Sequence, residues 1–171
     1  MTTGAELLVD AFDRVRETVQ QAVADLSVEE LNARLDPAAN SIAWLVWHLA
    51  RVEDDHVADA AGIEQVWLRD GWVGRFALPL DPKAIGYGHT IEEVAAVHVE
   101  DPALLIDYYE AVHRQTVGYV RNLRDEDFDR IVDRSWNPAV SLGVRLISVV
   151  GDTMMHVGQA QYVRGILDRR G

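Results

Sequence analysis

Asp152 and His156 stand four residues apart in the stretch Val149 to Gly165, VVGDTMMHVGQAQYVRG, and Gln159 follows three residues later. At 3.6 residues per turn, the first two lie one turn apart on one helical stripe, with Gln159 close to that stripe one turn on. A second stretch, Ser41 to His56 (SIAWLVWHLARVEDDH), carries His48 through the densest apolar run of the chain, between Trp47 and Leu49. A divalent ion needs three or four converging deprotonated donors, and imidazole with carboxylate suits zinc, iron, nickel or manganese. A helix supplies two such donors only at i,i+3 or i,i+4, as Asp152 and His156 do, and His48 on a facing helix would complete a three-ligand face with positions open to water or substrate. The bland alternative stays open: an incidental Asp–His pair and a hydrogen-bonded core histidine. Polar groups carried on apolar helices are costly to bury without partners, which favours their meeting.

Other polar residues near these stripes are weaker candidates. Gln159 could hydrogen-bond a ligand, or tie its helix to a neighbouring backbone. Asp55, two turns past His48, could fix the imidazole tautomer, but reads more simply as a solvated carboxylate. Arg145, two turns before Asp152, could meet an anionic substrate, but reads more simply as surface arginine. His56, His89, His98 and His113 share no stripe with a second donor and read as structural or exposed. Glu53, Asp54, Asp59 and Asp125 to Asp129 read as an acidic solvated face. Trp67, Trp72, Phe76 and Trp136 could line a pocket, and are better taken as an apolar lid on one end of a bundle.

The elements that must position these residues are helical. Leu8, Phe12, Val15, Val19, Ala22 and Leu26 recur at helical spacing, predicting an amphipathic helix over Gly4 to Leu26. Ser27 with Glu30 has the form of a capping box for a short helix to Leu35. Asn40 or Ser41 can cap the second long helix, which ends at Gly62. Glycines and prolines break residues 62–90 into a long connection with at most a helical turn near Ile63 to Leu68. Thr90 with Glu93 opens a short helix, Asp101-Pro102 opens the third long one, to about Leu123, and Ser141 caps the fourth, to about Arg169. No strand is predicted. The expected fold is all-α: four long helices with long crossover connections, in one domain spanning residues 1–171.

Composition sets the outer bounds. The chain has 171 residues, 49% hydrophobic and 26% charged, as for a globular protein. Sixteen basic against 28 acidic residues leave a net charge of −12, which argues against nucleic-acid or anionic-membrane partners. With no cysteine there is no thiolate ligand, disulfide or cysteine nucleophile. The first 15 residues lack the form of a signal peptide and no apolar run spans a bilayer, so a cytoplasmic location is expected. Glycine-rich phosphate loops, Gly-x-Ser-x-Gly elbows and His-Glu-x-x-His are absent, which sets aside the usual nucleotide enzymes, serine hydrolases and zincins.

The WHLARVEDD helix together with the terminal DTMMHVGQAQYVRG helix resembles the DinB/YfiT-like family. These are four-helix bundles whose last helix commonly carries His-x-x-x-His-x-Gly-Gln before a basic tail. The resemblance spans most of the chain and rests on His48, His156, Gly158 and Gln159. Asp152 stands where a histidine is usual, and a carboxylate there is similar to mycothiol-dependent maleylpyruvate isomerase-type members, whose zinc is held by two histidines and a glutamate. The resemblance implies a metal site at His48, Asp152 and His156, with zinc first and nickel, iron or manganese as alternatives. It also implies a low-molecular-weight thiol cosubstrate, mycothiol or bacillithiol, transferred to or isomerising a small electrophile, and it allows a homodimer. The competing expectation is a metal-free bundle that binds a small ligand or dimerises.

Overall fold

The computed structural model describes residues 1–170. Helices α1 (Gly4–Val23), α2 (Val28–Asn32), α3 (Ile42–Ala61), α4 (Val66–Arg69), α5 (Trp72–Phe76), α6 (Ile91–Ala96) and α7 (Pro102–Val120) are followed by a 3-10 turn, Asp125–Asp129. A short ribbon of β1 (Ile131–Asp133) and β2 (Val140–Ser141) then leads into α8 (Leu142–Leu167). The four long helices α1, α3, α7 and α8 form the bundle. Helices α1 and α3 each pack on both α7 and α8, so α1 lies diagonally opposite α3. Two of the three links between successive long helices therefore cross the bundle. Among the described residues, no helix is long and apolar enough to cross a membrane.

Local chemistry sets the helix ends. Thr3 with Glu6, Ser27 with Glu30 and Thr90 with Glu93 close reciprocal capping boxes on α1, α2 and α6. The Ser41 and Ser141 hydroxyls accept from Trp44 and Val144 at the starts of α3 and α8. Gly62, at φ +68°, ends α3 in the left-handed conformation that glycine adopts most cheaply. The buried stripe of α1, including Leu8, Phe12, Val15 and Val19, is the one its periodicity predicts. Fully burying such side chains contributes roughly 1.5–3 kcal/mol each.

Three features depart from the sequence reading. A two-stranded antiparallel ribbon is present; strands of three and two residues are too short to show an alternating pattern. The connection after α3 holds two short helices rather than one turn. And Glu53 and Asp54 are buried, at 0% and 1% exposure, instead of lying on a solvated face. Asp54 faces the first turn of α4, where its two carboxylate oxygens accept from the amides of Val66 and Trp67, both at 2.8 Å. The Tyr108 hydroxyl donates to the same carboxylate at 3.0 Å, and the fully buried Arg51 approaches it at 3.4 Å. Asp54 thereby caps an element twelve residues away, and α3 is bound to the connection that follows it. Trp67, Trp72 and Phe76 pack around Tyr108 as part of the core, while Trp136 is 67% exposed.

Glu53 is accommodated differently, against α7, where the Tyr109 hydroxyl donates to it at 3.2 Å. Burial pushes its carboxyl up to about 7 from an ordinary 4.5, against the downward pull of the Thr116 and Tyr109 hydroxyls. Between those two pH values the folded protein holds a proton that the unfolded chain has released. Stability therefore falls as pH rises through this window and levels off above it, by about 3 kcal/mol for a shift of this size. Glu53→Gln, which removes the charge and keeps the shape, is expected to unfold at higher urea concentration than the parent at pH 8 and to lose that advantage at pH 5. Parallel pH dependences for the two proteins would show that Glu53 does not carry the effect.

Candidate metal centre

His48 sits mid-α3, 2% exposed. Its ring stacks on Trp44 one turn earlier, centroids 4.6 Å apart and planes 20° from parallel. On the other side the connection comes close: Nδ1 hydrogen-bonds the Ile85 carbonyl. A carbonyl can only accept, so Nδ1 carries the proton and Nε2 keeps its lone pair. Burial pushes the imidazole down to about 4, outweighing the upward pull of the Ile85 carbonyl, so the ring is neutral at pH 7. That is the protonation state a metal-binding imidazole requires.

The approach of the connection depends on Gly86. At φ +103° the residue occupies backbone space that side chains avoid, and a Cβ built there would lie 2.3 Å from His48 Nδ1. Arg51, one turn past His48, donates from Nε to the Ala84 carbonyl at 3.2 Å. Two successive carbonyls, of Ala84 and Ile85, are thus held by two successive turns of α3.

Helix α8 brings the other two groups. His156 Nε2 lies 3.8 Å from Asp152 Oδ1, and the His156 and His48 rings are 4.6 Å apart at 81°. One donor atom from each of His48, Asp152 and His156 lies within 4.8 Å of the others. Bonds of about 2 Å to a shared ion require the donors to draw in by about 1 Å, within the reach of side-chain adjustment. Asp152 Oδ2 is buried with no hydrogen-bond partner. An unpartnered carboxylate oxygen beside two imidazoles is a poor arrangement for a closed polar cluster and a fitting one for a cation.

Supporting contacts complete the centre. Gln159 Oε1 lies 3.2 Å from His156 Nδ1 and, by accepting its proton, would leave Nε2 free. The Tyr87 hydroxyl donates to Asp152 Oδ1 at 3.3 Å, and its ring stands edge-on to His48 at 5.1 Å. Asp55 does not reach His48. It accepts from Gln65 Nε2 at 2.7 Å and pairs with His56 at 3.3 Å, while the Ile85 carbonyl takes the His48 Nδ1 proton. Arg145 is not a free surface arginine, nor is it open to an anion: it is tied to Asp133 of β1 at 2.7 Å, with both side chains mostly covered.

Residues 84–89 carry the part of the centre that residue-by-residue reading missed. The signal available was Gly86-Tyr87-Gly88-His89, in which glycines bracket a tyrosine and a histidine follows; the glycines read only as helix breakers. His89, taken above as structural or exposed, lines a cavity of about 270 Å³ with Asn40, Trp44, His48, Tyr87 and His156. A neighbouring groove of about 430 Å³ runs over Leu45, Met155, Gln159 and Tyr162 and also reaches Asn40.

Comparison with known proteins agrees with this architecture. Residues 7–169 match the family model described as Mycothiol-S-transferase. No curated protein matches the chain. A crystal structure described as the conserved protein of locus from Enterococcus faecalis is similar at 34% identity and a TM-score of 0.90, covering 96% of each chain.

Substituting Gly86 tests the geometry around His48. Gly86→Ala is expected to cost roughly 1–3 kcal/mol in denaturant unfolding, from the strained φ and the collision with the imidazole. An unchanged midpoint would mean that the connection does not press on His48.

Proposed function

Because the chain belongs to the DinB-like mycothiol-S-transferase family, we propose that it is a divalent-metal-dependent enzyme that transfers a low-molecular-weight thiol to a small electrophile. His48, Asp152 and His156 would hold the ion. The observation that carries this reading is the convergence of two imidazoles and a carboxylate with an unpartnered buried oxygen. Zinc is the first candidate, with nickel, iron and manganese behind it, and the donor set suits all four. Mycothiol is the thiol the family description names, and bacillithiol is the alternative. A bound ion would supply a lowered thiol pKa, so that sulfur is available as a nucleophile at neutral pH.

The protein's own residues do the rest. The Ile85 carbonyl and Gln159 hold the two imidazoles in the tautomer that turns Nε2 inward. Tyr87 holds one carboxylate oxygen of Asp152 and leaves the other free. Trp44, 6% exposed, stacks on one face of the His48 ring and holds its plane. A chain without cysteine cannot supply the sulfur itself, which fits an external thiol. The reading takes residues 1–171 as one domain acting on small molecules in the cytoplasm, with neither nucleic acid nor membrane as partner. A homodimer is compatible with it and not required by it.

Elemental analysis of purified protein should find close to one equivalent of divalent metal, reduced at least tenfold in His48→Ala. With mycothiol or bacillithiol and a model electrophile, Asp152→Ala should be slower than the parent by about 100-fold or more. Equal rates would remove the thiol-transfer mechanism even where metal is bound. Protein that stays metal-free after dialysis against each of the four ions would favour the metal-free bundle.

A further inference from the structure

The cavity over His48 and His156 is lined by two donor-bearing side chains that nothing in the metal site uses. Trp44 Nε1 lies 3.2 Å from His89 Nδ1. An indole N–H can only donate, so Nδ1 of His89 accepts, the ring is neutral, and its proton sits on Nε2. Trp47, 1% exposed, stacks on the same ring at 5.7 Å and 26° and fixes its plane. Among the described residues, neither His89 Nε2 nor the Asn40 amide hydrogen-bonds to the protein, and both residues line the cavity. The lining contains no lysine, arginine, aspartate or glutamate.

Size and charge restrict the occupant. About 270 Å³ falls just below the range of sites that enclose drug-sized ligands, so the bulk of a large cosubstrate stays outside. With the charge of a divalent ion balanced by Asp152 and a bound thiolate, an anion entering here would give up hydration for neutral donors alone. An uncharged molecule with one hydrogen-bond-accepting oxygen matches the wall.

We propose that this cavity seats the electrophile, and that the electrophile is an uncharged α,β-unsaturated carbonyl compound whose oxygen accepts from His89 Nε2 and the Asn40 amide. The assignment rests on the thiol-transfer reading of the neighbouring triad. In the addition, sulfur forms a bond to the β carbon, the carbon–carbon π bond breaks, and its electron pair moves through the α carbon to leave negative charge on the carbonyl oxygen. His89 and Asn40 stabilise that charge as it develops. The proton given up by the thiol ends on the α carbon, so thiol and acceptor combine with nothing lost. His89 is thus a substrate-contacting residue that selects acceptors by their oxygen.

The test compares two acceptors, with mycothiol as the thiol: 2-cyclohexenone, and benzyl chloride, which develops no charge on oxygen. In His89→Phe the ratio of kcat/KM for cyclohexenone to that for benzyl chloride should fall about 100-fold, the scale of one lost oxyanion donor, at unchanged metal content. His89→Gln, which restores an N–H donor, should recover most of that ratio. Saturated cyclohexanone, titrated without thiol and followed by tryptophan fluorescence, should bind the parent at least tenfold more tightly than His89→Phe. An unchanged ratio in His89→Phe, or a parent enzyme that prefers maleate to cyclohexenone, would overturn the assignment. A parent that turns over neither acceptor with mycothiol or with bacillithiol would sink the thiol-transfer reading instead. The cyclohexanone titration then decides the cavity alone, and equal binding to parent and His89→Phe overturns it.

Discussion

The structure depends on how α3 disposes of the polar groups it carries into the core. His48, Arg51, Glu53 and Asp54 are all buried within seven residues of one helix. Each would cost several kcal/mol if left without a partner in an apolar interior. Arg51 and Asp54 face each other at 3.4 Å, and the other partners come from outside the helix: carbonyls of Ala84 and Ile85, amides of Val66 and Trp67, and hydroxyls of Tyr108 and Tyr109. All but the last two lie in the connection between α3 and α7. That connection is therefore the counterpart of the helix's polar face, and its path is set by hydrogen bonds that α3 cannot satisfy by itself.

The same constraint builds the candidate site. An imidazole buried on α3 has two nitrogens to satisfy, and the Ile85 carbonyl takes one. The other faces α8, where Asp152 and His156 already lie one turn apart. Gly86 lets the backbone approach closely enough to hold the ring, and the two residues that follow the turn, Tyr87 and His89, consequently stand over the centre. Orientation of the histidine and furnishing of the cavity are thus two results of one close approach.

Much of this was legible in the sequence. The four long helices follow from apolar periodicity and from caps at Ser41, Asp101 and Ser141, because those signals are local. The triad follows from one i,i+4 pair and one histidine in an apolar run, and the structure brings these three side chains together. What escaped reading is what depends on distant partners. Glu53 and Asp54 look like surface acids until the α4 amides and α7 hydroxyls that receive them are in place. His89 has no neighbour in sequence to mark it, since its partners Trp44 and Trp47 are more than forty residues away. The group that fixes the His48 tautomer is a backbone carbonyl, invisible in a list of side chains. The ribbon of β1 and β2 is too short for its period to register.

The proposed chemistry requires two imidazoles and one carboxylate to share an ion between α3 and α8. X-ray absorption at the metal edge of zinc-loaded protein reads that shell directly. A shared-ion site gives two imidazole nitrogens and a carboxylate oxygen at about 2.0–2.2 Å, with one imidazole lost in His48→Ala and the carboxylate lost in Asp152→Ala. A shell with fewer than two imidazoles, or one that survives both substitutions, would contradict it.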